Sequence, residues 1–450
     1  MASPAATSTA RSVSVAPPLA EASDSGWYLT SGPALPLAPL DGEIRCDCLV
    51  VGAGWMGLHA ARRYAELRPD ASVVLVDAGR IGNNASGRCM GFAIDLAHNP
   101  RKRDFVEDVQ GNRDELTTNL EGNAYLRSAV EELGVACDWD PQGKYHSAAT
   151  DHGVADLVSF SKALDRMGQA YRWVERDEIR AITGSRHYIR ALHHPGTILL
   201  QPALYLKNAA RALPGNVAVH ENTPVTGVAY GASEHVVDTA AGRIVARTLI
   251  LCTAAHLTHF GFYPGSAIPV CTFASMTREL TPAELAKAGD RDAYGLIPAD
   301  SFGTTVRRTR DNRLILRNVY TYGDGFVANR GDVAAARKQQ QVAFERRWPE
   351  LAPMGFEVSW GGLLTLAQNG GMVFGELARG VYGAAFCNGT GVSRGTAFGK
   401  AIAELAAGQR TPVIDILRRR SAPSRTIPLV TPTAVRFETR RRFRSAGREV

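Results

Sequence analysis

Residues 48–77 constrain the fold of this chain more than any other stretch. Cys48-Leu49-Val50-Val51 is a short apolar run of the kind a buried parallel strand requires. Gly52-Ala53-Gly54-Trp55-Met56-Gly57 follows at once, and Leu58, Ala61 and Ala65 then recur at helical spacing. Val73-Val74-Leu75-Val76 reads as a second strand, ended by Asp77. Each piece suits an adenine dinucleotide. Gly52 permits the tight turn, Gly54 lets backbone approach a pyrophosphate, and Gly57 lets helix and strand pack closely. Trp55 and Met56 open the helix, whose positive end would meet the pyrophosphate. Asp77 lies 20 residues after Gly57 and can hold a ribose hydroxyl pair. Ala78 and Arg80 continue from it into the adjoining loop.

A chain of 450 residues predicts two domains. Its hydrophobic fraction of 45% and charged fraction of 21% are those of a globular protein. No run of 18 apolar residues occurs, so no transmembrane helix is expected. The seven cysteines are scattered and form no CxxC pair, and Cys46-Asp47-Cys48 has the wrong spacing for zinc. Reduced thiols, a cytoplasmic location and no metal are the expectation. The net charge is +7, and residues 411–450 hold ten arginines against three acids, which accounts for all of it. Arg418-Arg419-Arg420 and Arg440-Arg441-Arg442 form a basic C-terminal tail, read as a solvated face or a salt-bridged helix. Nucleic acid is disfavoured as a partner, and peripheral contact with an anionic membrane is a minor reading.

Residues 1–24 are rich in Ala, Ser, Pro and Thr and are expected to be disordered. Residues 25–43 carry Trp27 and Tyr28 and could pack as an extended arm. After Asp77 comes a loop of small residues, Gly79 to Gly91, which suits backbone laid against a flat ligand. Helices are expected over 112–134, 153–169 and 175–183, and from Pro202. Strands are expected at 217–219, 225–228, 235–237 and 249–251, and Asn312 should turn between strands at 304–308 and 313–318. Gly380–Phe386 reads as a strand, followed by Cys387-Asn388-Gly389-Thr390-Gly391-Val392 and a helix over 396–407. Two glycine-rich helix starts can address two ends of one long ligand. The second helix would point its positive end at a group that gains negative charge, as a reduced flavin does, so the pair favours FAD over NAD.

These segments together resemble the FAD-dependent oxidoreductases of the D-amino-acid oxidase superfamily, in the gamma-glutamylputrescine oxidase and glycine/sarcosine oxidase branch. The resemblance rests on Val50–Gly57 with Asp77, Ala85-Ser86-Gly87-Arg88, Pro224–Val228, Trp360-Gly361-Gly362 and Cys387–Gly391. It implies an α/β fold with a discontinuous, Rossmann-like FAD-binding domain (25–100, 190–265 and 356–410). An antiparallel-sheet substrate domain (101–189 and 266–355) is inserted in it. It implies that Ser86, Gly87, Arg88, Cys89 and Met90 run beside the flavin, that Val225 meets the adenine, and that Gly389, Thr390, Gly391 and Val392 contact the flavin carbonyl. Trp360 and Gly361 would border the substrate cavity and Gly362 the cofactor, with Arg88 and Trp360 as the candidate catalytic residues. The implied reaction oxidises the C–N bond of an amine or amino acid. A neutral substrate nitrogen assists hydride loss to flavin N5, and the imine hydrolyses. No side-chain base is required. Tyr145, His146, Arg307, Arg317, Tyr320 and Asn369 read as structural, and the His193-His194 pair before Pro195 as a surface pair.

Departures from the family pattern sharpen the expectation. Trp360–Thr365 holds no Cys or His, so FAD is expected to be non-covalent. Ile315 stands where sarcosine oxidases place a lysine, which leaves oxygen or another electron acceptor open. Cys89-Met90 replaces an Asn-Gly pair. The alternatives are an FAD-dependent dehydrogenase of a hydroxy acid or polyol phosphate, since one fold hosts several chemistries, and a flavoprotein that modifies RNA.

Overall fold

A computed structural model of the chain describes residues 11–96 and 109–450. The expected first domain boundary, at residues 100–101, lies outside the described residues, as do residues 1–10 of the expected disordered extension. Two large sheets organise the rest. The first has nine strands. Its core is parallel: Val217–His220, Val73–Val76, Gly42–Val51, Gly242–Leu251 and Val381–Ala385 lie side by side in that order. Val73–Val76 is buried along its whole length, as a parallel strand covered on both faces must be. Arg11–Ser14, Val225–Tyr230 and His235–Thr239 extend the sheet as an antiparallel meander, and Val373–Ala378 pairs antiparallel with Val381–Ala385.

The parallel register puts four chain segments at one edge. Val51, Val76, Leu251 and Ala385 end their strands there, so Gly52, Asp77, Thr253 and the Phe386–Val392 turn emerge together. Ligands of open α/β sheets bind outside such carboxyl ends. Helices Trp55–Leu67 and Ser393–Ala406 leave from this edge and pack on each other.

The second sheet has eight strands, all antiparallel neighbours except Tyr294–Pro298 and Lys144–Ala148, which are parallel. It takes in Arg190–His194 and Val358–Leu366. Both segments had been expected in the first domain. Arg190–His194 is held by Lys144–Ala148, and Val358–Leu366 by Ile268–Met276, so the chain changes sheets after these strands rather than before them. Residues 11–24 also differ from the expected disorder. Arg11–Ser14 pairs in register with Gly227–Tyr230, and Val15 is buried. The basic tail is likewise part of the fold: Pro412–Arg418 and Thr431–Ser445 are helices, and Glu449 is buried. An apolar cluster against the eight-stranded sheet joins Trp27 and Tyr28 to Met90, Phe92, Ile315 and Trp360.

Candidate active site

The first glycine turn is packed to the limit of its backbone. Gly52 sits at φ +98°, and a Cβ there would lie 2.6 Å from the Cys252 carbonyl oxygen. A Cβ on Gly57 would overlap the Gly52 carbonyl, and one on Gly54 would overlap the Ser86 hydroxyl. The Trp55 N–H donates to Ser86 Oγ at 3.1 Å, and its indole N–H donates to the Ser86 carbonyl at 3.0 Å. The first intrahelical bond runs from Leu58 N–H to the Gly54 carbonyl, so the Met56 and Gly57 amides remain at the positive helix end.

Asp77 is buried beside this turn. One carboxylate oxygen accepts from the Ala53 N–H at 2.7 Å; the other accepts from the Gly79 N–H at 2.9 Å and the Asn84 amide at 2.5 Å. Burial pushes its pKa up, against the pull of these three donors. The acid therefore staples the turn to the next loop. The Thr223 N–H donates to the Asp77 carbonyl at 2.8 Å, which brings Val225 alongside, and Ala78 is half-buried next to it.

The loop Ala85–Arg88 forms a single 3₁₀ turn. Gly87 is obligatory there, since a Cβ would overlap the Gly82 carbonyl. Arg88 is buried and fully engaged. Its Nε donates to the Asn83 carbonyl at 2.7 Å and its terminal nitrogens donate to Gly361 O at 3.0 Å and Ser23 O at 2.6 Å. Glu21 lies 3.6 Å away, and burial lowers the Arg88 pKa. Trp360 is fully buried, and its indole N–H donates to the Arg88 carbonyl at 3.2 Å. Gly362 faces the Arg88 side chain, where a Cβ would lie 3.3 Å from the Arg88 Cβ. The two candidate catalytic residues are thus a clasp joining the loop, the Trp360–Gly362 strand and the N-terminal arm. Cys89 follows with its thiol pushed up to about 11 by burial. The Met90 carbonyl accepts from Arg307 at 2.7 Å. Arg80 pairs with Asp24 and lies 4.7 Å from the Tyr28 ring centre.

The second turn lies beside the first. Gly395 packs on Trp55, with a Cβ placed 3.1 Å from the Trp55 Cβ, and Gly399 packs so closely that a Cβ would overlap the Met56 carbonyl. Asn388, at φ +51°, locks the turn by donating to Phe386, Gly370 and Gly371 carbonyls and accepting from the Ala367 N–H. Gly389 and Gly391 face open space, and the buried Thr390 hydroxyl has no partner among the described residues. Val392 caps the helix start and is buried.

Several contributors escaped the sequence reading. Thr253 stands against Gly52 with a buried, unpartnered hydroxyl, yet its position follows only from the pairing of Leu251 with Val51. Asn84 and Glu221 hold the loop, the latter accepting from the Ile81 N–H at 2.5 Å. Arg307, named in the sequence but read there as structural, lies buried under the loop's end, 5.6 Å from the Trp27 ring centre, with its pKa lowered to about 10 by burial. Of the other polar residues read as structural, Tyr145 packs in a separate core and Asn369 ties down Ala422, while His194, expected at the surface, is buried and pairs with Asp95 at 2.7 Å.

Two helix starts in contact, glycines facing open space and an orphaned Thr390 hydroxyl fit a long anionic cofactor. The family described as DAO, FAD dependent oxidoreductase, matches residues 47–405. The chain belongs to this family. The DAO-family match begins within the strand Gly42–Val51 and ends within the helix Ser393–Ala406, so it spans both turns. Among curated relatives, gamma-glutamylputrescine oxidoreductase of Escherichia coli (strain K12) is 28% identical over 400 residues, covering 87% of this chain and 90% of that one. Among solved structures, glycine oxidase from Geobacillus kaustophilus has a TM-score of 0.68 at 20% identity, covering 85% of this chain and 99% of that one. L-amino acid deaminase from Proteus myxofaciens has a TM-score of 0.68 at 14% identity, covering 90% and 96%. These structures share the fold of this DAO-family oxidoreductase.

Proposed function

We propose that this oxidoreductase acts on the C–N bond of an amine or amino acid, using FAD held without a covalent bond. The observation that carries the cofactor assignment is the contact between the two glycine-bearing helix starts through Gly395 and Gly399. Gly52, Gly54, Trp55, Met56 and Gly57 would cradle the pyrophosphate, and Asp77, with Ala78 beside it, the adenosine ribose. Arg80 would border that end, and Val225 would meet the adenine. Ser86, Gly87, Cys89, Met90 and Gly362 would border the flavin, and Gly389, Thr390, Gly391 and Val392 its carbonyl end. FAD in this setting supplies the two-electron acceptor for a substrate hydride.

The chain's own residues orient and exclude water. Arg88 and Trp360 act as positioning residues, because all their polar atoms already hold backbone carbonyls of the site's walls. The substrate class is supported by the E. coli relative, which aligns over nearly its whole length and is named for an amine. The non-covalent reading rests on Trp360–Thr365, which holds no Cys or His. Oxygen or another acceptor then removes the electrons, and the free cysteines support a cytoplasmic setting.

Anaerobic titration tests this reading. The purified yellow protein should lose its flavin absorbance on mixing with an amine or amino acid and release an aldehyde or oxo acid. Bleaching by hydroxy acids or polyol phosphates alone would replace it with the dehydrogenase reading. Admitting oxygen afterwards separates an oxidase from a dehydrogenase by the rate of colour return.

A further inference from the structure

The C-terminal helix presents a face that the fold does not use. Thr431–Ser445 packs against Leu314–Tyr322 through the side that carries the buried Thr439. On the opposite side, helical spacing lines up Phe437 with Arg440, Arg441 and Arg444. Phe437 is 69% exposed. The turn Ile427–Val430 leads into the helix, anchored at its base by Thr426, which donates twice to the Gly265 carbonyl. Its apolar side chains point to solvent, with Leu429 at 91% exposure and Ile427 at 63%. Leu19 is exposed as well, and it lies against Gly325, next to the Asp324 that pairs with Arg436.

Charge on this face is one-sided. Glu438 is the only acid between Asp415 and Glu449, and it is taken by Arg441 and Arg442, which hold its carboxyl down to about 2. Arg425, Arg440 and Arg444 are exposed and form no ion pair among the described residues. Large apolar side chains in water beside unpaired cations mark an interaction surface.

We propose that this face docks on an anionic lipid bilayer. Leu429, Ile427, Val430 and Phe437 would enter the headgroup–acyl boundary while Arg425, Arg440 and Arg444 meet lipid phosphates. A nucleic acid would satisfy the arginines and leave Leu429 and Ile427 in water. A second copy of the chain, docked through the same face, would bring two sets of unpaired arginines together. The bilayer satisfies both halves of the patch. No helix among the described residues is long and apolar enough to cross a membrane, so the contact is interfacial. This inference stands apart from the choice of substrate.

The test uses the full-length, flavin-loaded protein and flotation with phosphatidylcholine vesicles, with and without phosphatidylglycerol. The wild type should float only with phosphatidylglycerol present, and less so at high salt. The double variants Leu429→Ser/Phe437→Ser and Arg440→Glu/Arg444→Glu should each lower the bound fraction by about tenfold or more at unchanged flavin absorbance. Equal flotation of wild type and both variants would overturn the proposal, as would no binding to the anionic vesicles. So would a dimer in light scattering that Leu429→Ser/Phe437→Ser abolishes, or binding to RNA in preference to vesicles.

Discussion

A methyl group added at Gly54 would overlap the Ser86 hydroxyl, which itself receives the Trp55 N–H at the helix start. Gly54→Val should therefore push the loop off the helix end and abolish FAD retention. The ratio of flavin to protein absorbance after purification measures this, with far-ultraviolet circular dichroism expected to stay near wild type. Arg88 works differently. Arg88→Ala would remove the donor of three carbonyls and strand Glu21, at a cost of about 3–5 kcal/mol. Arg88→Lys should recover only part of it, because an ammonium cannot span the same fork; thermal melting of the three proteins checks the order. His59 adds a pH dependence. Its Nδ1–H donates to the Trp55 carbonyl at 2.5 Å, and its Nε2 accepts from the Tyr205 hydroxyl at 2.8 Å, so the neutral ring is satisfied. Burial lowers its pKa from 6.5 to about 4. The unfolded chain then binds a proton first as pH falls. Stability is whole above pH 6.5 and declines as pH falls through about 4, by on the order of 3 kcal/mol at most. His59→Gln should flatten this part of the acid limb in denaturant melts, measured against the same variant at neutral pH.

At the scale of elements, the helix pair Trp55–Leu67 and Ser393–Ala406 sets how the two turns meet. Gly399 lies on the Met56 carbonyl, so Gly399→Ala must pry the helices apart, at about 1–3 kcal/mol, and weaken FAD binding in step. A titration of the apoprotein with FAD, followed by flavin fluorescence, would show a raised Kd; an unchanged Kd would separate packing from cofactor binding. Each turn was legible in the sequence, because strand, glycine, helix and acid carry local signals of spacing and backbone freedom. Their contact was not. Gly395 and Gly399 look like ordinary helical glycines until the partner helix is known to lie within one carbon of them. The same holds for Thr253, whose local sequence has no motif and whose role arises from a parallel register of residues about 200 positions apart. Elements whose partner is distant were misplaced for that reason. Arg190–His194 and Val358–Leu366 have strand patterns that suit either sheet, and only the pairing decides.

Across the whole molecule, the N-terminal stretch reads as loose from composition and the basic tail as a solvated or salt-bridged helix, and both chain ends are tied into the structure. Low hydrophobicity around residues 11–24 hid a strand that gains its stability from backbone pairing with Gly227–Tyr230. A similar logic governs the other end. Glu449 reaches across to the second sheet's side of the molecule, where one carboxylate oxygen accepts from the Ala149 N–H at 2.9 Å and the Thr150 hydroxyl at 2.7 Å. Thr150 is also the N-cap of the Asp151–Met167 helix, accepting from the Gly153 N–H. Arg347, itself buried, donates to the Glu449 and Val450 carbonyls at 3.1 and 3.2 Å. The last residues thus close the end of the second sheet and buttress a helix start, while touching none of the two turns. Glu449→Ala should leave the Ala149 N–H buried without its acceptor and cost about 1–3 kcal/mol. The loss should fall on the substrate-side sheet alone. Hydrogen exchange should quicken around Lys144–Ala148 and the Asp151–Met167 helix, whereas protection of Gly42–Val51 and the content of bound flavin should stay at wild-type values. Equal loosening of both sheets would mean that the molecule opens as one cooperative unit, with the terminal clasp serving the cofactor site as well.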